Sequence, residues 1–355
     1  MEVLILDKDF KNVGVIDDFE SLIWTDRYSE AGEFEISTYP NANVCSIAQN
    51  GYYLHLKESE HVMIIESLNI TTDVEKGNRL IIGGRSLESI LDRRIIWGMT
   101  EVSGNVEACV RTLINNNIIN ASNSRKISNF VFTNSGDSSI TSNTMTAQYT
   151  GDNIYDVIKA ICDEIDIGFK VVLTDENNFS FSLYNGIDRS YNQSVRPYVV
   201  YSPSYENIIN SSYLESTKEW KNAAWIAGED KSEQRKTTNI GTTTGLERRE
   251  IYVDARDVQS EKEDQTSYTD EEYINLLKTR GVQQLLEHPK LKAFEGDVET
   301  INSYKYGTDF FLGDIIQIQN EYGYGSAMRV SEVVFSQDSN GINILPTFRK
   351  LIGDE

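Results

Sequence analysis

The sequence has few of the residues on which most catalytic and metal sites depend. It contains three histidines and three cysteines in 355 residues, and Cys45, Cys109 and Cys162 form no C-x-x-C pair. It has no H-E-x-x-H zinc motif, no G-x-x-x-x-G-K-[ST] phosphate loop and no G-x-G-x-x-G dinucleotide loop. We therefore expect reduced thiols in the core, no metal ion and no cofactor.

Positive charge is also scarce. The chain has 33 Lys and Arg against 55 Asp and Glu, a formal net charge of −22. Such a chain repels phosphate, so we expect neither specific nucleic-acid binding nor attachment to an anionic membrane. No apolar run is long enough to span a bilayer, and the first residues lack the basic start of a signal peptide. We expect that the chain is synthesised in the cytoplasm and does not insert into a membrane.

The aromatic content indicates a folded protein. The 19 Tyr and 13 Phe are too many for a disordered acidic chain. A single hydrophobic core stops growing below this chain length, so we expect two or three domains.

Short strand-like runs alternate with turn clusters through the first hundred residues. They are Val3–Leu6, Phe19–Trp24, Glu33–Ser37, Tyr52–Leu56, Val62–Ile70 and Arg79–Ile82. Runs this short and this closely spaced are typical of a barrel or sandwich. We predict a first β-barrel unit over residues 1–100, completed by residues 201–228.

The apolar spacing becomes helical from residue 101 onward. One clear stripe consists of Ile154, Val157, Ile158, Ile161 and Ile165. Asp152 or Asn153 would cap this helix and Gly168 would end it. We predict an inserted α+β domain over residues 101–200, with an exposed polar loop at 115–150. Residues 229–355, with a helix at 270–287, are predicted as a second β unit, which makes the chain mainly β with an α+β insert.

Two motifs fall within the predicted β units. The first runs from a strand through Gly84 and Arg85 into a short helix. Gly84 permits a sharp turn, Leu87 opens an apolar stripe, and Arg93 lies at the C-terminal end, where the helix dipole favours positive charge. This helix is expected to dock onto the barrel and to present charge to protein neighbours.

The second motif, Leu312-Gly313-Asp314, separates two strand-like segments. Leu312 would anchor the barrel, Gly313 would allow a left-handed turn, and Asp314 would accept backbone N–H bonds across that turn. Structural roles explain both motifs, so we predict structural sites and no catalytic residues.

Two groupings allow a catalytic interpretation. Ser135–Ser138 is similar to the nucleophile block of GDS-type esterases, but it stands in a polar stretch with no buried strand before it. Cys109 or Cys162 with His288 would form a cysteine peptidase. Both cysteines fall on apolar helix faces, where a thiol is normally an inert packing group.

His55 and His61 flank one predicted hairpin, but no third metal ligand accompanies them. With 55 acidic residues in the chain, sequence spacing does not exclude a pair of carboxylates that would act as a glycosidase site.

In their order along the chain, the two motifs resemble the Gp37-like tail proteins of siphophages and, more widely, the baseplate hub and tail-tip proteins of long-tailed bacteriophages. Three further segments follow the same pattern: Asn185–Ser190, Tyr252–Asp257 and Thr279–Leu285. The resemblance implies a tail-tube-like barrel used twice per chain, with the two barrels flanking the α+β domain. Three copies would then form a ring of six barrels.

The resemblance also implies a function. The chain would be a structural hub whose homotrimer continues the tail tube and adapts sixfold to threefold symmetry. Its partners would be the distal tail ring, the tail tube, the tape measure and tip or fibre proteins, with genome DNA passing through the ring. It would lie in the virion tail tip after assembly in the host cytoplasm.

Many relatives continue into host-binding or wall-degrading domains, whereas this sequence ends at Glu355 soon after its second β unit. We therefore expect no enzymatic activity. A tail-associated cell-wall hydrolase or a glycan-binding module is the alternative.

Overall fold

The protein is built mainly of β-strands. The computed structural model describes residues 1–73, 77–122, 124–229, 235–262, 265–298, 304–322 and 325–351. The strands are β1 (Val3–Leu6), β2 (Asn12–Ile16), β3 (Ser21–Arg27), β4 (Glu33–Thr38), β5 (Tyr53–Leu56), β6 (Val62–Asp73), β7 (Gly77–Ser86), β8 (Met99–Asn105), β9 (Phe130–Phe132), β10 (Thr144–Thr150), β11 (Gly168–Leu173), β12 (Phe179–Tyr184), β13 (Val200–Tyr201), β14 (Ile208–Ser216), β15 (Ala223–Ala227), β16 (Thr237–Ile240), β17 (Glu250–Asp254), β18 (Leu291–Val298), β19 (Ile315–Gln319), β20 (Gly325–Asp338) and β21 (Gly341–Lys350).

Helices are fewer and mostly short. They are α1 (Ala42–Ile47), α2 (Val106–Ile114), α3 (Ser138–Thr141), α4 (Ile154–Glu164) and α5 (Asp270–Leu286), with 3₁₀ helices at Leu87–Arg93, Pro203–Tyr205 and Gly245–Glu247 and a π-helical turn at Asn115–Ile119. Among the described residues, none of these helices combines the length and the apolar character that a membrane crossing requires. The mainly β class predicted from the sequence is confirmed.

One large sheet joins both ends of the chain. Its main path runs β14-β18-β21-β20-β3-β4-β7-β6-β5-β1-β2, and β19, with β13 beside it, also pairs with β20. β20 lies antiparallel to β3, with Val334 opposite Thr25 and Phe335 opposite Trp24. Because β3 was predicted in the first barrel unit and β20 in the second, two separate barrels were expected where a single sheet is observed. Strand pairing closes no barrel within the described residues.

Strand β6 separates two hydrophobic cores. Met63 and Ile65 belong to the core of the large sheet, whereas Val62 and Ile64 belong to the core beneath the 3₁₀ helix Leu87–Arg93 and the helices that follow. This division follows from the period of two in a strand, because successive side chains point to opposite faces. Both faces of β6 are therefore buried at its N-terminal end.

The second core belongs to the segment that the sequence predicted as an insert. Here α2 and α4 pack beside the sheets β8–β10 and β9–β12–β11. Helix α4 begins at the predicted position. Asn153 is its N-cap, and the Asn153 side chain accepts a hydrogen bond from the Tyr155 N–H. The predicted loop at 115–150 was wrong in part. The run Phe130–Phe132 predicts the one strand in this stretch, and it forms β9; the stretch also contains the π-helical turn, α3 and β10, and β10 pairs along its length with β8.

A third, smaller core lies between α5 and the sheet β16-β15-β17. Thr269 and Glu272 form a reciprocal capping box at the start of α5, and the helix predicted at 270–287 is confirmed. Ile226 and Val253 face Leu277 across this core. Strand β16 lies in the polar stretch 228–245, where the sequence shows no strand signal. The run Val298–Tyr304, whose composition also predicts a strand of the second β unit, falls largely outside the described residues.

Candidate functional site

The first motif lies where β7 is held between β4 and β6. Gly84 pairs with Ile65, next to a bulge in β6 between Ile65 and Ser67. A Cβ atom on Gly84 would stand 1.9 Å from the carbonyl oxygen of Ile64. The sharp turn predicted at Gly84 was wrong, because this residue lies within β7; only glycine fits there without moving the β6 backbone.

The two arginines of this motif are paired within the chain. Arg85 contacts Glu66 at 2.8 Å and Asp92 at 3.1 Å, and Arg93 approaches Glu66 at 3.5 Å. The hydrogen bonds that Arg85 donates to Glu66 raise the pKa of Arg85 above its ordinary value. One carboxylate on β6 thus pairs with Arg85 on β7 and with Arg93 at the C-terminal end of the 3₁₀ helix.

The 3₁₀ helix carries a buried carboxylate that the sequence did not reveal. Leu87, Glu88 and Leu91 are all inaccessible to solvent. Glu88 accepts a hydrogen bond from the Val171 N–H of β11 at 2.8 Å. A 3₁₀ helix has three residues per turn, so Glu88 lies on the same face as Leu91 and is directed into the protein.

Glu88 belongs to a group that we call the acid–histidine cluster: Asp26, Ser59, His61 and Glu88. His61 Nδ1 lies 3.1 Å from Glu88 Oε1, and Ser59 donates to Asp26 Oδ2 at 2.7 Å. Trp24 donates to the other Asp26 oxygen at 3.0 Å. The cluster therefore connects β3, the start of β6, the 3₁₀ helix and β11.

The electrostatics of the cluster favour a positive imidazolium. Burial lowers the pKa of His61, but the carboxylates of Asp26 and Glu88 outweigh it and raise that pKa to about 9. Burial raises the pKa of Glu88, but the charged His61 outweighs it and the pKa is lowered. Burial dominates at Asp26, whose pKa is raised. At neutral pH the cluster thus contains a charged His61–Glu88 pair away from water.

We expect alkaline pH to destabilise the protein through His61. Its pKa is about 9 when folded against an ordinary value of 6.5, so its stabilisation is complete below pH 6.5 and is lost as pH rises through 9. The free energy of unfolding should fall by about 2–3 kcal/mol between pH 6.5 and 9. Urea unfolding across this range measures the loss. The His55→Gln variant should keep the wild-type profile, whereas a His61→Gln variant with the same slope would contradict the assignment.

The second motif lies against the segment that follows β12. Leu312 is buried in the core of the large sheet, with 6% of its surface exposed. Asp314 is 2% exposed, and its carboxylate accepts hydrogen bonds from the Ile187 N–H at 2.7 Å, from Arg189 Nε at 2.7 Å and from the Phe311 N–H at 3.1 Å. The Asp314 carboxylate therefore stabilises the turn in which it lies and also binds the segment that follows β12.

Gly313 allows three segments to approach closely. Its φ angle is +89°, and a Cβ atom there would stand 2.4 Å from the Tyr28 ring. A Cβ on Gly186 would stand 1.8 Å from the Gly313 carbonyl oxygen. Arg329 donates to that oxygen at 2.6 Å, lies 4.8 Å from the centre of the Tyr28 ring, and pairs with Asp166 at 2.7 Å.

We expect Gly313→Ala to lower the free energy of unfolding by about 1–3 kcal/mol, because it combines a left-handed backbone with overpacking against Tyr28. Gly307→Ala is the matched control. Gly307 has a φ angle of +80° but nothing within 4 Å of its would-be Cβ. The free energies of unfolding of the two variants, measured by chemical denaturation, separate the cost of backbone strain from the cost of the clash with Tyr28. Equal losses in the two variants would show that the close approach to Tyr28 is unimportant.

The two motifs do not meet each other, but each one contacts the insert. The first does so through Glu88 and β11, and the second through Gly313 and Asp314 and the segment after β12. We call these two contacts the insert anchors. Buried ion pairs and close backbone contacts give these anchors the character of a rigid joint.

With the exception of His61, the residues weighed for catalysis lie apart from the insert anchors. Ser138 begins α3, which Asp137 caps. Cys109 and Cys162 are buried, and burial raises the pKa of both thiols. His55 lies on β5, where it pairs with Val62 across the hairpin. Within the described ranges, no three His, Cys, Asp or Glu side chains come together as a metal site.

The family model of the siphovirus ReqiPepy6 Gp37-like proteins matches residues 2–348. The chain belongs to this family. The Gp37-like relationship inferred from the two motifs is thereby confirmed. No curated protein is significantly similar in sequence to this Gp37-like chain.

Solved structures of phage tail proteins share the fold. The prophage tail protein gp18 from Listeria monocytogenes EGD-e has a TM-score of 0.56 at 13% identity, over 100% of this chain and 96% of its own. A tail protein from Neisseria meningitidis MC58 has a TM-score of 0.57 at 12% identity, covering 98% and 96%. The 43 kDa tail protein of prophage MuSo2 from Shewanella oneidensis has a TM-score of 0.57 at 8% identity, covering 98% of each chain. The Gp37-like chain thus has a phage tail-protein fold along its whole length.

Proposed function

We propose that this chain is a structural hub of a phage tail tip. In this proposal a homotrimer continues the tail tube, adapts its sixfold symmetry to the threefold symmetry of the tip, and leaves a passage for genome DNA. The observation that carries the proposal is the family match over residues 2–348, joined to a tail-protein fold over the same length. The chain would be located in the virion and would contact the neighbouring tail proteins.

The strand order supports two units per chain. In the large sheet, β3 and the strands from β4 to β2 lie on one side of the β3–β20 pair, and β20, β21, β18 and β14 lie on the other. The β3 side comes from the predicted first β unit. The β20 side combines strands of the predicted second unit with β14, which lies in the stretch 201–228 that was predicted to complete the first unit and pairs instead with β18. In this proposal three chains would supply six groups of strands, which is what a contact between a sixfold tube and a threefold tip needs.

The insert anchors fit this role. A ring that transmits force between tube and tip has to hold its domains in fixed positions. Arg329–Asp166 and Arg189–Asp314 are ion pairs with little exposed surface, at 2.7 Å each. Breaking either would leave a buried charge without its partner, which resists separation of the insert from the sheet.

Electron microscopy of the purified protein, together with light scattering, tests the proposal. Threefold rings and a mass of three chains are the expected result. A monomer at every concentration, both alone and in the assembled virion, would contradict the hub.

We also expect the protein to release no soluble fragments from purified peptidoglycan, because Cys109 and Cys162 are buried thiols with raised pKa values and Ser138 opens a capped helix. The measurement compares sugar and peptide release with that of a known wall hydrolase. Release by the wild type that Ser138→Ala abolishes would establish the alternative, a tail-associated hydrolase.

A further inference from the structure

Two large aromatic side chains are exposed together on the small sheet. Trp225 on β15 and Tyr252 on β17 are paired in register, and their ring centres lie 5.4 Å apart. Their exposed fractions are 54% and 53%. We call this pair the aromatic platform. Side chains this large are costly to expose next to each other, and such patches mark binding surfaces.

The platform is held in place before any partner arrives. Arg235 donates to the Tyr252 hydroxyl at 2.9 Å, to the Ala227 and Gly228 carbonyl oxygens at 2.8 and 2.7 Å, and to Asp254 at 2.7 Å. The opposite face of the same sheet packs on α5. A partner would therefore lose little conformational entropy from these two rings on binding.

The charge around the platform differs from that of the chain. Arg235, Arg248 and Arg256 surround it, and the two carboxylates that pair with them are Glu250 and Asp254. Among the described residues that form these ion pairs, three guanidinium groups stand against two carboxylates, in a chain with a net charge of −22. The complementary surface is one rich in carboxylates, and a chain with 55 Asp and Glu against 33 Lys and Arg has the composition to supply it.

We propose that the aromatic platform is a docking surface for a carboxylate-rich face of a second copy of this chain. The inference rests on the proposed ring. A closed threefold ring needs two different patches that meet head to tail, because only a twofold contact can use one patch twice. Trp, Tyr and Arg are the residues that contribute most often to the energetic centre of protein interfaces. The platform supplies all three side by side.

Mass measurement over a dilution series tests this docking surface. Trp225→Ala combined with Tyr252→Ala should weaken association of the copies by about 30-fold or more, because interface centres of this kind cost at least a factor of that size when truncated. Both residues are exposed, so circular dichroism and the melting temperature of the dissociated chain should stay close to wild type. Arg256→Glu should weaken association as well, and the effect should shrink as salt is raised.

Trp97→Ala is the matched control. Trp97 is 65% exposed and lies against Arg125, with the guanidinium 4.5 Å from the ring centre. It should leave association unchanged. A wild-type trimer that persists in the Trp225/Tyr252 variant would overturn the docking surface while leaving the ring intact. A monomeric wild type would overturn both. A trimer lost in the platform variant alone would support the inference.

Discussion

The Leu312→Asp variant should not accumulate as a folded protein. Leu312 is buried in the core of the large sheet, two residues before a carboxylate, Asp314, that is itself 2% exposed. The substitution would bury a second negative charge without a partner and would also remove the packing of the leucine. We expect a loss of at least about 4 kcal/mol, a large part of the stability of an ordinary domain. Soluble yield and thermal unfolding measure it.

Two controls locate this effect at the second motif. Phe311→Asp introduces the same charge one residue earlier, at a side chain that is 44% exposed, and should cost far less. Leu312→Met keeps the apolar character and most of the volume, and should fold normally. A soluble Leu312→Asp protein with the wild-type melting temperature would mean that this side chain faces solvent.

His61→Leu should produce the second large loss. Asp26 and Glu88 are buried on either side of the imidazole and would stay behind without their cation. Removal of one partner of a buried pair costs about 3–5 kcal/mol, because the remaining charge is left uncompensated or must take up a proton. Urea unfolding at neutral pH gives the difference. His55→Leu, on the adjacent strand, should cost much less.

The double variant His61→Leu/Glu88→Gln separates charge from packing. The amide oxygen of the new glutamine would still accept from the Val171 N–H, which Glu88 now binds at 2.8 Å, while the uncompensated charge is removed. We expect the double variant to be more stable than His61→Leu alone, a coupling that a double-mutant cycle measures. Strictly additive losses would show that the imidazole acts through its shape only.

Local patterns in the sequence predicted much of the fold. The stripe from Ile154 to Ile165 with Asn153 ahead of it predicted α4, and the Thr269–Glu272 spacing marks the start of α5. Alternating runs predicted β1, β3, β4, β5, β6 and β7 within a few residues of their observed bounds. These elements depend on spacing and capping, which neighbouring residues fix.

Long-range partners were not predictable in the same way. Nothing in β3 or β20 says that these two strands pair, because a strand with two buried neighbours presents the same alternation whichever strands they are. For that reason the sequence predicted two separate barrels where β3 and β20 lie in one sheet, and the two-barrel arrangement is not confirmed.

The buried charges were missed for a different reason. Glu88 falls outside an α-helical stripe through Leu87, Ile90 and Leu91, but the 3₁₀ helix is buried on all sides from Leu87 to Leu91, so the apolar stripe did not show which residues lie inside. Arg329 and Asp166 are distant in sequence and carry no spacing signal.

The β3–β20 pair also determines when the large sheet can be completed during translation. Arg27 and Glu332, which meet across it, are 305 residues apart in sequence. A ribosome that adds about 5–20 residues per second needs roughly 15–60 s to travel that distance. Throughout this interval one edge of β3 has no partner, while the insert, whose core comes from residues 62–183, is free to fold before its anchors to Asp314 and Arg329 are made. Completion of the large sheet is therefore a late event in synthesis, and newly made chains are exposed to aggregation until β20 emerges.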